Sequence, residues 1–292
     1  SRIYCQGNTS GNRNNQKQLR RKTLTRKFRF ILMGLIACAG ISFAGVACTQ
    51  YLSSSTGSYI DMNSLEFVQE NKPENGDTIA IIKTSLGDIK AVLYPEYAPE
   101  AVANFTELAE SGYYDNTYVF NSETGVYFSA GSPNKNGDLN SDLDKKYEKV
   151  PQELHQNLWP FKGALCSLVT GEDGGFWKKF KGEAKVLNGS RFAVLNTNEF
   201  TDDFKKELLD TDSNTKVAEE FIKLGGVPAL SQKITVFGQT YEGFDVIDKI
   251  VNVEVRIDDE ELKVPVDDIM IKSVEIGVYG EDTSENATSV KN

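Results

Sequence analysis

Residues 78–133 decide how the chain folds, and they read TIAIIKTSLGDIKAVLYPEYAPEAVANFTELAESGYYDNTYVFNSETGVYFSAGSP. Two runs rich in β-branched residues, 79–83 and 89–94, flank Ser85-Leu86-Gly87-Asp88, a turn signal that predicts a β-hairpin. Pro99 then opens a stretch whose apolar residues recur every three or four positions, which predicts an amphipathic helix ending near Gly112. That helix would pack on a sheet through Ala101, Val102, Phe105, Leu108 and Ala109.

Short β-like runs continue after this stretch, at 118–120, 126–128, 163–169, 192–195, 235–239 and 269–276, and a second short helix is predicted at 244–251. Polar insertions separate the strands at 134–152, 171–187 and 199–227, and the last of these has helical periodicity over 202–209 and 215–224. Many short antiparallel strands with two helices against them are typical of a closed barrel or a sandwich. The sequence therefore predicts a mainly β domain at 78–277, followed by a disordered tail at 278–292.

The first part of the chain has the composition of a membrane-targeting segment. Residues 1–29 contain nine Lys or Arg and no acidic residue, and residues 30–48 contain no charge. An apolar run of that length crosses a bilayer as a helix, and the basic flank keeps its N-terminal side in the cytoplasm. We therefore expect a basic cytoplasmic segment, a transmembrane or signal segment at 30–48 and a linker at 49–77. The domain would lie on the extracytoplasmic side of a bacterial cell membrane.

The end of the apolar run, Gly45-Val46-Ala47-Cys48, resembles a bacterial lipobox, in which a small residue precedes a Cys that receives lipid. That pattern usually has Leu at the position of Gly45. Three forms of attachment stay open for this reason: a lipid on Cys48, an uncleaved signal anchor, or cleavage after a small residue.

Charge and composition exclude several classes of function for the exported part. All 42 acidic residues lie after residue 29, so this part lacks the basic footprint that nucleic-acid binding requires. Beyond Cys48 its only thiol is Cys166, and His155 is the single His of the chain. These two residues provide no ligand cluster, so the sequence predicts neither a metal site nor a cofactor.

A series of motifs occurs in a fixed order along residues 78–277. They are Ile82-Lys83-Thr84-Ser85-Leu86-Gly87-Asp88-Ile89, Ala98-Pro99-Glu100 with Asn104-Phe105, Gly112-Tyr113-Tyr114-Asp115, Gly163-Ala164-Leu165, Asn188-Gly189-Ser190-Arg191-Phe192, Thr235-Val236-Phe237-Gly238 and Gly243-Phe244-Asp245-Val246-Ile247-Asp248-Lys249-Ile250. Together they resemble the cyclophilin-type peptidyl-prolyl cis-trans isomerases. The resemblance implies a closed eight-stranded antiparallel β-barrel capped by two helices, and a rotamase that assists protein folding.

The resemblance also indicates where a substrate would bind. In the family, an Arg guanidinium donates to the prolyl nitrogen while an apolar pocket holds the proline ring. The family's motif Phe-His-Arg-Val reads Phe120-Asn121-Ser122-Glu123 here, so Ser122 stands at the position of the catalytic Arg. The Gly-rich segment that follows this motif in the family begins one residue earlier in this chain. The residues that correspond to substrate-binding positions are Val126, Tyr127, Ser129, Leu168, Ala193, Leu230 and Ile234.

Arg191 stands where the family usually has a pocket-lining Gln, and two interpretations of it stay open. Its guanidinium is either a relocated donor that replaces the missing Arg, or a solvent-facing group paired with one of the many carboxylates. Only the first interpretation makes Arg191 a catalytic residue.

Two functions of different classes are compatible with these residues. The first is an extracytoplasmic isomerase whose activity is weak or lost, because removing the main donor of such a site commonly costs ~2.7–4 kcal/mol of transition-state stabilisation. The second is a non-catalytic peptide-binding or scaffold module on the same fold. In both cases the expected partners are proline-containing peptides or unfolded exported proteins, together with the membrane through the N-terminal segment.

Overall fold

The computed structural model describes residues 64–138, 147–173, 185–197, 199–210, 215–259 and 261–281. The strands are β1 (Thr78–Thr84), β2 (Gly87–Leu93), β3 (Thr117–Tyr118), β4 (Asn121–Glu123), β5 (Tyr127–Ala130), β6 (Val150–Pro151), β7 (Ala164–Asp173), β8 (Lys185–Leu195), β9 (Thr235–Glu242), β10 (Val255–Ile257), β11 (Lys263–Pro265) and β12 (Met270–Val278). The α-helices are α1 (Pro99–Glu110), α2 (Asp202–Leu209), α3 (Thr215–Leu224) and α4 (Phe244–Val251), and 3-10 helices lie at Val68–Glu70 and Pro228–Leu230.

The prediction of a mainly β domain is confirmed, but the sheet differs from a closed eight-stranded barrel. Ten strands form one curled antiparallel sheet in the order β3-β12-β1-β2-β9-β7-β8-β5-β4, with β6 paired to β8, and this ladder does not close. Its two end strands follow each other in the chain. Between them, the backbone N–H of Val119 donates to Ile269 beside β12, whereas that of Phe120 donates to Ser129 in β5. Val119 and Phe120 therefore bond to opposite ends of the sheet, and these two single hydrogen bonds stand where a closed barrel would have paired strands.

The predicted hairpin and helices are confirmed, and helix α1 supplies the centre of the core. Pro99 occupies the first turn of α1, where the missing N–H costs nothing, and the apolar residues named above are its buried face. The Phe105 ring lies 5.0 Å from Phe237, 5.2 Å from Tyr114 and 5.5 Å from Phe192, measured between ring centroids. The helical periodicity in the third insertion is also confirmed, since it forms α2 and α3.

A second hydrophobic cluster joins the residues before β1 to the third insertion. Trp159, Phe161, Val217 and Phe221 form its buried centre, and Leu65, Phe67, Phe200 and Leu224 pack against it. Gln69 ties the same region together through its buried side-chain amide. Its Nε2 donates to the carbonyl oxygen of Trp159 at 2.9 Å and to Oε1 of Gln239 at 2.8 Å, and its Oε1 accepts from the Trp159 N–H at 2.6 Å. Residues 64–70, predicted as part of a linker, thus pack on the domain.

Replacing Gln69 with alanine is expected to lower the free energy of unfolding by about 2–3 kcal/mol, because the buried N–H and C=O groups of Trp159 lose their partner. Denaturant titration of the variant and the unmodified chain measures this difference. Gln156→Ala is the matched control, since it removes a more accessible amide that donates to Ser64, and we expect it to change stability by less than ~0.5 kcal/mol. Equal losses in the two variants would contradict a buried role for Gln69.

The predicted segments at 1–29, 30–48 and 49–63, including Cys48, lie outside the described residues, as does the tail from residue 282. Within the described part of the chain, none of the helices has the length and apolar composition that crossing a membrane requires. The predicted membrane segment and the part of the linker at 49–63 therefore stay predictions.

Candidate functional site

The register of the sheet places several of the predicted site residues on one face. Residues directly opposite each other in antiparallel strands point to the same side, and Asn121, Ser129, Ala193 and Cys166 are consecutive partners across β4, β5, β8 and β7. Phe192, which precedes Ala193 on β8, points to the opposite side and belongs to the core around Phe105. The four partner residues therefore lie on the side of the sheet away from α1. We call this side of the three strands β4, β5 and β8 the site face; it carries Asn121, Glu123, Tyr127, Ser129, Arg191 and Ala193.

The site face brings together three of the residues predicted to bind substrate, namely Tyr127, Ser129 and Ala193. Val126 precedes them in the turn between β4 and β5, where its N–H donates to Glu123 and its carbonyl accepts from Asn196. The remaining predicted residues are buried elsewhere along the chain. Leu168 lies at an irregularity of β7, Leu230 ends a 3-10 helix and Ile234 immediately precedes β9.

Ser122 is not on the site face, although the resemblance places it at the position of the catalytic Arg. It pairs with Phe128 of β5, is fully buried, and its hydroxyl donates to the carbonyl oxygen of Ile250 in α4 at 2.9 Å. Its neighbour Asn121 points to the site face instead. The residue that replaces the family's donor therefore serves to attach α4 to the sheet.

Asn121 is held by a polar network that the sequence did not indicate. Its Oδ1 accepts from the backbone N–H of Lys263 at 2.9 Å, and its Nδ2 donates to the hydroxyl oxygen of Tyr127 at 3.1 Å. The Lys263 ammonium forms an ion pair with Glu123. The hairpin of β10 and β11 thus contacts β4, although the two are more than a hundred residues apart in the sequence. Alternating apolar residues on both sides of the acidic run at 258–261 were the available signal for this hairpin.

Arg191 lies on the site face, two residues from Ala193, and its guanidinium is partly buried. Its Nη1 donates to the carbonyl oxygen of Gly137 at 2.9 Å, and the guanidinium carbon lies 5.9 Å from the centre of the Phe120 ring. Gly137 has φ of +71°, and a Cβ there would come within 2.4 Å of the same ring. Arg191 therefore holds a tightly packed turn against the edge of the site. The relocated-donor hypothesis stays a prediction.

Burial shifts the pKa values of three groups in or near this region, Tyr127, Cys166 and His155. Burial raises the pKa of Tyr127 well above its usual range, and the nearby Glu123 carboxylate raises the pKa further, whereas the hydrogen bond from Asn121 lowers it. Burial also raises the pKa of the Cys166 thiol, which therefore stays protonated. His155 is partly buried, which lowers its pKa, and its ring lies 4.7 Å from that of Tyr97. Among the described residues, no group of three His, Cys, Asp or Glu side chains is placed to hold a metal.

Comparison with known proteins gives one consistent family. A family model described as cyclophilin type peptidyl-prolyl cis-trans isomerase matches residues 79–276. A Staphylococcus saprophyticus protein named as a peptidyl-prolyl cis-trans isomerase is 29% identical over 211 residues, which cover 72% of this chain and 98% of that protein. A Streptococcus pyogenes protein named as a bifunctional phosphatase/peptidyl-prolyl cis-trans isomerase is also 29% identical, but the match spans only 41% of its length.

Two solved structures are similar to this chain at a lower level of identity. The crystal structure of a Cryptosporidium parvum cyclophilin type peptidyl-prolyl cis-trans isomerase has a TM-score of 0.49 and 22% identity, covering 69% of this chain and 98% of that one. A second structure of the same protein, determined in the presence of the dipeptide Ala-Pro, has a TM-score of 0.48.

Proposed function

The chain belongs to the cyclophilin-type peptidyl-prolyl cis-trans isomerase family, and we propose that it isomerises Xaa-Pro bonds in exported polypeptides at a reduced rate. The observation that carries the reduced rate concerns Ser122, which the motif matches to the family's cationic donor but which is buried and bonded to Ile250. Removing one donor from a site of this kind commonly lowers the rate 10²–10³-fold. In this proposal a proline-containing chain binds at the site face, where Tyr127, Ser129 and Ala193 lie together.

The reaction needs no covalent chemistry from the protein. The amide has a rotation barrier of ~18–20 kcal/mol because the nitrogen lone pair is delocalised into the carbonyl group. As the bond twists, the lone pair returns to the nitrogen, and a donor aimed at that atom stabilises the transition state more than the ground state. A neutral donor on the site face would provide part of this stabilisation, which favours slow catalysis over none.

The location outside the cytoplasm rests on residues 1–48 and belongs to the same proposal. The basic segment followed by an uncharged run supports export with the domain on the outer side of the membrane. The mass of the protein extracted from membranes distinguishes the three forms of attachment. A lipid on Cys48 gives a shortened chain with added acyl mass, cleavage gives a shortened chain alone, and an uncleaved anchor gives the full mass.

The non-catalytic peptide-binding module is the second candidate function, and the internal bonds of Asn121 and Glu123 favour it. Both polar atoms of the Asn121 amide and the carboxylate of Glu123 are already bonded within the protein. NMR exchange measurements on a short Ala-Pro peptide with the full-length chain separate the two functions. We expect faster cis-trans exchange of the peptide. Binding without faster exchange would establish the module and exclude the isomerase.

Replacing Arg191 with alanine is expected to lower kcat/KM less than about 10-fold, because its guanidinium bond to Gly137 holds a turn at the edge of the site. The same exchange assay measures this loss. Arg256→Ala, which removes an exposed arginine on β10, is the matched control and should leave the rate unchanged. A loss of ~10²-fold or more in the Arg191 variant alone would instead support the relocated-donor hypothesis.

A further inference from the structure

The orientation of the Asn121 amide determines the direction of the hydrogen bond to Tyr127. A backbone N–H can only donate, so the atom of Asn121 that lies 2.9 Å from the Lys263 nitrogen is the carbonyl oxygen. The amide nitrogen then points toward Tyr127, and it can only donate. The hydroxyl oxygen of Tyr127 therefore accepts this bond at 3.1 Å.

Because the hydroxyl oxygen accepts that bond, the hydroxyl hydrogen of Tyr127 can donate to another acceptor. A phenol has one O–H to donate besides its lone pairs, and one lone pair is occupied by Asn121. Tyr127 is a buried residue, 8% exposed, and its hydroxyl lies beside Asn121 on the site face. Its strand position is beside Ser129, which is the direct cross-strand partner of Ala193.

We propose that the hydroxyl of Tyr127 is the hydrogen-bond donor to the prolyl nitrogen of the substrate, oriented by Asn121 as a positioning residue. This inference rests on the proposed isomerase function and names the group that carries it out. A phenol is one of the side chains that stabilise developing charge in such sites, and it differs from a guanidinium in being neutral. The lower charge accounts for a rate that is reduced but not abolished.

The surroundings of Tyr127 keep its proton in place for this role. The charged groups of the network are Glu123 and Lys263, which pair with each other. Burial and the Glu123 carboxylate both raise the pKa of the phenol, so it remains a donor throughout the physiological range. Ser129 offers a second hydroxyl on the same face, and its contribution has to be separated by experiment.

The experiment measures cis-trans exchange of an Ala-Pro peptide by NMR with the full-length chain and its variants. Tyr127→Phe removes only the hydroxyl, and we expect kcat to fall ~10²-fold while KM changes little. Tyr97→Phe is the matched control, because that ring is partly buried against His155 and lies outside the site face; its rate should equal that of the unmodified chain. Circular dichroism and the unfolding midpoint verify that each variant is folded at the assay temperature.

Asn121→Asp tests the positioning role separately. An aspartate keeps the acceptor for Lys263 but accepts from the phenol, so the Tyr127 hydrogen turns inward and the donor is lost. We expect a loss similar to that of Tyr127→Phe, and no further loss when the two are combined, whereas a merely structural effect would add to it.

Three outcomes distinguish this inference from the proposed function. An active unmodified chain with an equally active Tyr127→Phe variant overturns the donor role alone. A loss confined to Ser129→Ala has the same consequence, since the donor is then Ser129. An unmodified chain without any effect on exchange overturns both the donor role and the isomerase function.

Discussion

Introducing arginine at position 122 is expected to destabilise the domain by about 3–5 kcal/mol and to leave isomerisation slow, even though the family has its catalytic Arg at the matching motif position. Ser122 is fully buried, since it pairs with Phe128 across the two strands and bonds to Ile250 of α4. A guanidinium there would be buried without a counter-ion. Denaturant unfolding and the exchange assay measure the two effects.

Ser122→Ala is the control for this substitution, since it removes the hydrogen bond to Ile250 without adding charge, and we expect it to cost only ~1 kcal/mol. The difference between the two variants then reports the buried charge. A stable Ser122→Arg variant with faster exchange would show that the side chain reaches the site face, and would contradict the register of β4 on β5.

The position of Ser122 shows which part of the site the sequence could predict. The motif counted from Phe120 matches the family's catalytic Arg to Ser122, but the Gly-rich return comes one residue early. Side chains alternate between the faces of a strand, so the shorter connection places Asn121, and not Ser122, opposite Ser129. A motif match identifies the strand, whereas the turn that follows it sets which residue faces the substrate.

Most of the fold could be predicted because its elements depend on local sequence patterns. The hairpin of β1 and β2, helix α1 and the two helices of the third insertion depend on periodicity within about a dozen residues, and all are confirmed. The contact of Lys263 with Asn121 and the packing of Phe67 on Phe161 join distant parts of the chain. No local pattern encodes such pairs, so residues 64–70 were predicted as linker and the polar network was missed.

Truncating Phe105 to alanine is expected to lower the free energy of unfolding by about 3–5 kcal/mol, because this ring fills the space between α1 and the sheet. It contacts the rings of Tyr114, Phe192 and Phe237, and its removal leaves a cavity that these large side chains can only partly fill. Denaturant titration measures the loss. Phe67→Ala, the same truncation at a half-buried ring, should cost less than ~2 kcal/mol.

The same variant connects the core to the site. Phe192 precedes Ala193 on β8, so the cavity lies directly behind the strand that carries part of the site face. We expect the folded fraction of Phe105→Ala to isomerise more slowly than that of Phe67→Ala, since a looser β8 positions the substrate less well. A Phe105 variant that loses less than ~1 kcal/mol of stability would mean that α1 does not fill the core, and the link between α1 and the site face would be wrong.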